Sequence, residues 1–225
     1  MIKKIFQKLL IQTGKSYKLD SQIPDQLLIA FLFERFIMMT RGLLFLRGKI
    51  FLGQGCSIKN KRNFYFGKNV TIEKHTTIDC YASEKIQIGS GSRIGEYSLV
   101  TCTSHLSKYG KGLKIGENSA IGRFSEFGAA GGIEIGDNVI MGSYISFHSE
   151  NHNYEDTSRL IREQGVTSKG IKLGNNIWVG AKVTFLDGSQ LGDNSVVAAG
   201  AVVKGVFPNN VIIGGVPAKI LKVIE

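Results

Sequence analysis

The densest group of proton-transfer side chains in the 225-residue chain is Phe147-His148-Ser149-Glu150-Asn151-His152, directly before the irregular stretch Asn153–Lys172. A neutral imidazole takes up a proton near neutral pH, so His152 is the candidate general base, weighed against an ordinary exposed turn histidine. His148 and Glu150 could orient it from behind. His105 holds a matching place before a second irregular stretch and ranks below His152, with His75 lower still. His148 and His152 are four residues apart, which puts metal ligands on one face only in a helix, and the local pattern is not helical, so no metal is expected. Neither a Ser nucleophile elbow nor a G-x-x-x-x-G-K phosphate loop occurs.

What positions these residues is a repeat. The hexad Ile135-Gly136-Asp137-Asn138-Val139-Ile140 recurs in variants from about residue 50 to about residue 214, opening on an apolar residue, usually followed by Gly, with Asn or an aromatic often in fourth place. Three hexads run unbroken from Leu173 to Leu191. A chain winding around a triangular prism explains this period: one bulky apolar residue per face fills the interior, and left-handed corners favour Gly and Asn. Successive turns then stack as short parallel strands ~4.8 Å apart. Antiparallel hairpins with G-x-N turns are the competing arrangement, but they have no reason to keep a six-residue register.

The expected organisation is an N-terminal helical segment (1–49), a coil (50–214) carrying an extruded loop (153–172), and a closing tail (215–225). Shorter excursions leave the register at Ser83–Lys85 and Leu106–Lys114. Within 1–49 two helices are expected, at about 2–12 and 24–46, separated by Thr13-Gly14-Lys15-Ser16 and Ile23-Pro24. The net charge is +10, of which +6 belongs to residues 1–49, where nine Lys or Arg face three acids. Such a basic, apolar segment suits either a cap over the first coil or an acidic membrane surface through residues 1–46. No apolar run is long and uncharged enough to span a bilayer, and no cleavable signal pattern follows Met1. A retained cytoplasmic protein is expected, with a peripheral site on the inner membrane face left open. The three cysteines lack paired spacing, which argues for free thiols, and the basic residues lack the aromatic interleaving of a nucleic-acid binder.

The hexads, the loop after a histidine, the run Gly174-Asn175-Asn176-Ile177-Trp178-Val179-Gly180-Ala181, the run Ala198-Ala199-Gly200-Ala201-Val202-Val203 and the ending Gly214-Gly215-Val216-Pro217-Ala218-Lys219 together resemble the hexapeptide-repeat acyltransferases. The maltose and galactoside O-acetyltransferases and the bacterial polysaccharide O-acetyltransferases are the nearest in kind, and the likeness covers about residues 50–222. It implies an all-β left-handed parallel β-helix, an exception to right-handed crossovers, assembled as a homotrimer with acetyl-CoA between neighbouring prisms. It implies further that His152 is the catalytic base and that the N–H of Ala181 meets the oxyanion. Trp178 would border the thioester, Ala199 the pantetheine arm, and Lys204, Lys219 and Lys222 the phosphates. The family's frequent Thr-Lys pair is Lys204-Gly205 here.

The acceptor implied is a sugar hydroxyl of a surface polysaccharide, capsule or O-antigen, or its precursor. Phe124–Gly132 lacks the acids that galactoside enzymes use, and its small residues leave room for a bulky glycan. Two alternatives stay open: an N-acetyltransferase of a nucleotide-linked amino sugar, and a non-catalytic β-helix scaffold.

Overall fold

In the computed structural model, which describes residues 2–12 and 18–225, the hexads wind into a coil with three flat faces. The first face runs from Phe51–Leu52 to Val211–Gly215, the second from Ser57–Lys59 to Val202–Val203, and the third from Phe64–Phe66 to Val206–Phe207. All neighbours within these runs pair in parallel, as in Glu126↔Ser146↔Thr184 on the second face. The fold is the left-handed parallel β-helix. Among the described residues, antiparallel ladders occur only between Asn151–His152 and Val166–Thr167 and between Val211–Gly215 and Ala218–Val223. The last pair folds the tail back over the edge of the first face, where it covers strand groups that would otherwise lie open.

Inside the prism the second face stacks Phe127, Phe147 and Phe185, all fully buried, with ring centroids 4.9 Å apart. Each such ring contributes about 1.5–3 kcal/mol through burial alone. The expectation of one bulky inward residue per face fails on every face. Val139 and Met141 and Ile177 and Val179 are buried in pairs on the first, Ile145 and Phe147 and Val183 and Phe185 on the second, and Ile86 and Ile88, Leu113 and Ile115, Ile133 and Ile135, and Ile171 and Leu173 on the third. Residues two apart in extended chain send their side chains to the same side.

The corners differ in chemistry. Between third and first faces, Asn69, Asn118, Asn138, Asn176, Asn194 and Asn210 take left-handed backbone angles of 53–60°, as the G-x-N pattern predicts. Between first and second faces the same conformation is held by His75, Tyr97, Phe124, Tyr144 and Lys182. The corner between second and third faces carries the long insertions: 80–85, 102–112 and 149–170 all leave there. The main loop therefore begins and ends earlier than 153–172, since Ile171–Leu173 already belongs to the third face and the second-face strand ends at His148.

Helix α1 (Ile2–Gln12) packs on α2 (Asp25–Leu46), and the expected spacer Thr13–Ser16 lies outside the described residues. The cluster Phe6, Leu10 and Leu28 joins the two helices. In turn α2 covers the first coil: Arg41 donates to Leu52 O at 2.9 Å, and Arg35 to Thr71 Oγ1 at 2.8 Å. Gly42 is required by closeness, because a Cβ there would stand 2.0 Å from Ile50 O. Burial pulls the Arg35 guanidinium down, partly offset by Glu73. The outer face of α2 carries exposed Ile29, Phe33, Phe36, Leu43 and Leu44, none of which joins either buried apolar cluster of the described residues. No helix among the described residues is long and apolar enough to cross a membrane.

Candidate active site

His152 leaves the coil on a short ribbon. Asn151 and His152 pair with Thr167 and Val166, and Asn153 N–H continues the ribbon to Gly165 O at 3.1 Å. Beyond it the loop braces itself, with Gln164 exchanging hydrogen bonds with the Asp156 backbone at 3.1 and 2.8 Å. Ser158 bonds the Asp156 carboxylate through hydroxyl and N–H, which holds that carboxyl below the usual range. At the neck stands Asp187, 9% exposed, whose Oδ1 accepts Lys169 N–H and Gly170 N–H at 2.8 Å each while Oδ2 faces Asn151 Nδ2 at 3.4 Å. One carboxylate thus ties the outgoing strand to the returning one, a single residue from His152.

The His152 ring is exposed and takes no hydrogen bond from the described residues. It lines a cleft of about 650 Å³ with Asn151, Tyr154, Asp156, Arg159, Asp187 and Lys204. His148 and Glu150 do not orient it. Instead Ser146 Oγ holds His148 Nε2 at 2.7 Å, while Glu150 binds Lys108 at 3.4 Å and Ser104 at 3.2 Å. Those contacts bind the 102–112 excursion to the base of the main loop, strengthened by Lys108 Nζ to Ser168 Oγ at 2.8 Å. His105 sits on that excursion, bonded through Nδ1 to Ser107 Oγ at 2.8 Å and outside the cleft.

The other singled-out residues gather elsewhere. Trp178, 61% exposed, lies in one row across the first face with Ile140, Val196, Ile212 and Lys222. Lys219 follows on the same edge strand, opposite Gly214. Ala181 and Ala199 occupy the corner that this face turns into, and the N–H of Ala181 finds no acceptor among the described residues, whereas Lys182 N–H donates to Ser143 O at 2.9 Å. Lys204 stands apart from Lys219 and Lys222 and shares the His152 cleft. So one chain carries two groups of the singled-out residues at two corners: an imidazole in a cleft, and an apolar row ending in lysines beside the Ala181 N–H. The sequence drew attention to the residues of both groups but not to Asp187, whose only signal is an acid where a coil meets a loop. No group of three or more His, Cys, Asp or Glu among the described residues is placed to hold a metal ion.

A family profile described as bacterial transferase hexapeptide (six repeats) matches residues 170–205. A Mycobacterium tuberculosis protein named probable acetyltransferase is 27% identical over 176 residues, covering 78% of this chain and 50% of its own length. The galactoside O-acetyltransferase of Escherichia coli is 34% identical over 93 residues, covering 41% of this chain and 45% of its own length. The chain thus spans half or less of these two relatives. The Escherichia coli protein WbbJ, provisionally named as a lipopolysaccharide biosynthesis O-acetyl transferase, is 26% identical over 195 residues, covering 84% of this chain and 85% of its own. Among solved structures, a mutant of AntD, an N-acyltransferase from Bacillus cereus in complex with dTDP and coenzyme A, shares the fold with a TM-score of 0.60 at 23% identity, over 72% of this chain and 84% of that one. Repeat, coil and relatives agree: residues 170–205 match the bacterial transferase hexapeptide repeat, and the chain is similar to acetyltransferases that carry it.

Proposed function

We propose that the protein moves acetyl from acetyl-CoA to a sugar hydroxyl, with His152 as general base. The observation that carries this reading is the exposed, unbonded imidazole held over a 650 Å³ cleft by a ribbon pinned at Asp187. His152 would take the hydroxyl proton as that oxygen attacks the thioester carbonyl, and the thiolate of CoA would leave with a proton from the same ring. The free N–H of Ala181 suits the oxyanion that forms between those steps. Trp178 and the apolar row fit the pantetheine arm, and Lys219 and Lys222 fit the phosphates. Lys204 lines the His152 cleft, which supports a contact with the acceptor instead. Because the two groups, read as half-sites, lie at different corners, the complete site is shared between protomers of a homotrimer. The resemblance in sequence to WbbJ supports a surface polysaccharide or its precursor as the acceptor.

The uncharged stripe Ile29, Phe33, Phe36, Leu43 and Leu44, with Lys3, Lys4 and Lys8 on the adjoining α1, fits a peripheral place on an anionic membrane. Release of CoA thiol by purified protein, with hydroxyl and amine sugars as acceptors, tests the chemistry. Equal rates for wild type and His152→Ala would sink it, and acetyl found on nitrogen would move it to amino sugars. Co-sedimentation with vesicles of phosphatidylglycerol and phosphatidylcholine tests the membrane part, which is wrong if Phe33→Ser/Phe36→Ser/Leu44→Ser sediments as wild type does.

A further inference from the structure

The corner between the first and second faces carries a column of rings: His75 stacks on Tyr97 at 5.0 Å, Tyr97 on Phe124 at 5.2 Å, and Phe124 on Tyr144 at 5.1 Å, with planes within 16° of parallel. All four residues hold φ between 56° and 62°. A left-handed angle is costly for a bulky residue, and the asparagine corner of the same coil shows a less costly way to make the same turn. Stacking offsets part of that cost, yet a column serving the coil alone would gain most by being buried. It is not: Tyr97 is 46%, Phe124 38% and Tyr144 52% exposed.

Beside the rings runs a second row. The residue before each ring is Lys74, Glu96, Arg123 and Ser143 in turn, and Glu96 bridges Lys74 at 3.1 Å and Arg123 at 3.5 Å. Glu96, Arg123 and Ser143 also line a groove of about 390 Å³ on the first face with Glu73 and Arg93. The column is about 15 Å long and continues in line to Lys182, next to the Ala181 N–H. We infer that this ridge and its charged groove bind an extended saccharide, several sugar units long, on its way to the transfer point at Ala181.

The chemistry favours sugar over the other occupants. Ring edges and two tyrosine hydroxyls offer rigid amphipathic contact, and the charged row offers hydrogen bonds to hydroxyls. A second copy of the chain would want a core depleted of charge, whereas charged side chains flank the ridge along most of its length. The inference rests on the proposed sugar transfer for its direction, though not for the binding itself.

Saturation-transfer NMR on the full chain, irradiating ring protons, tests it with maltoheptaose, chitohexaose and a hyaluronan hexasaccharide as probes. At least one probe should bind, and Tyr97→Ser/Tyr144→Ser should weaken that binding about tenfold while leaving acetyl-CoA binding unchanged. Binding by none of the three, or binding that the double variant does not weaken, overturns the inference. So does a change in oligomer mass of the double variant by sedimentation, which would assign the ridge to subunit contact. Failure of the transfer reading would look different: His152→Ala would match wild type in acetyl transfer while saccharide binding persisted.

Discussion

Asp187 offers the sharpest test of how the loop is held. Replacing it by Ala removes the acceptor of Gly170 N–H, which is buried, and of Lys169 N–H, which water can partly reach. A buried donor left without a partner costs about 1–3 kcal/mol, and a partly hydrated one less, so the neck should weaken by about 2–4 kcal/mol. The strands on either side remain paired in the coil, so the opening should be local rather than global. Hydrogen exchange should therefore quicken in 149–153 and 165–170 with the melting temperature lowered by only a few degrees. With His152 one residue from Asn151, even a displacement of about 1 Å costs on the order of a hundredfold in turnover, so kcat should fall while KM for acetyl-CoA stays. Asp187→Asn separates charge from geometry. Its remaining oxygen can keep both 2.8 Å bonds, and the Asn151 amide can turn to meet the new NH₂, so this variant should stay near wild type. If Asp187→Ala retains wild-type exchange and turnover, or if Asp187→Asn is as damaged as Asp187→Ala, the account of the neck is wrong.

His152→Ala should lower kcat by about 10²–10⁴, the usual worth of a general base, without loss of acetyl-CoA binding measured by calorimetry. Phe147→Ala opens the middle of the internal ring stack and should cost about 3–5 kcal/mol in denaturant unfolding. Burial pushes the Cys80 and Cys102 thiols up to about 12, from an ordinary value near 9. The folded state then keeps protons that the unfolded state releases, so stability is full below pH 9 and falls as pH climbs toward 12. Urea midpoints at pH 8 and 10.5 should differ by less in Cys80→Ala/Cys102→Ala than in wild type.

Much of the fold is readable because a six-residue period leaves few ways to bury its apolar residue. Ile72, Ile94, Ile121 and Met141 point inward as their places in the hexads require. Other features need coordinates. Aromatics in the fourth place of some hexads are visible in sequence, but that His75, Tyr97, Phe124 and Tyr144 share one corner depends on insertions between them of 2–9 residues beyond 18, and only the folded coil puts them in register. The loop was overestimated at its end because Ile171-Lys172 carries no Gly-Asn corner to announce a strand. Asp187 was missed because its partners are backbone amides, which every sequence has.

The separation of the two proposed half-sites makes their sharing between protomers testable. Ala181 has a negative φ and precedes Lys182 at 60°, the pattern of a type II turn, whose first central position accepts Pro. Ala181→Pro should therefore fold yet lack the N–H assigned to the oxyanion. Neither that variant nor His152→Ala is active alone if each half is needed. Co-expressed in equal amounts and mixed at random in trimers, a shared site works when its imidazole comes from the Ala181→Pro chain and its N–H from the His152→Ala chain, which happens at about a quarter of sites. Activity per site near a quarter of wild type is then expected in steady-state assays of the mixture. A site contained within one protomer would show no recovery, since every chain would carry one defect, and the assignment of the two corners to neighbouring chains would have to be abandoned.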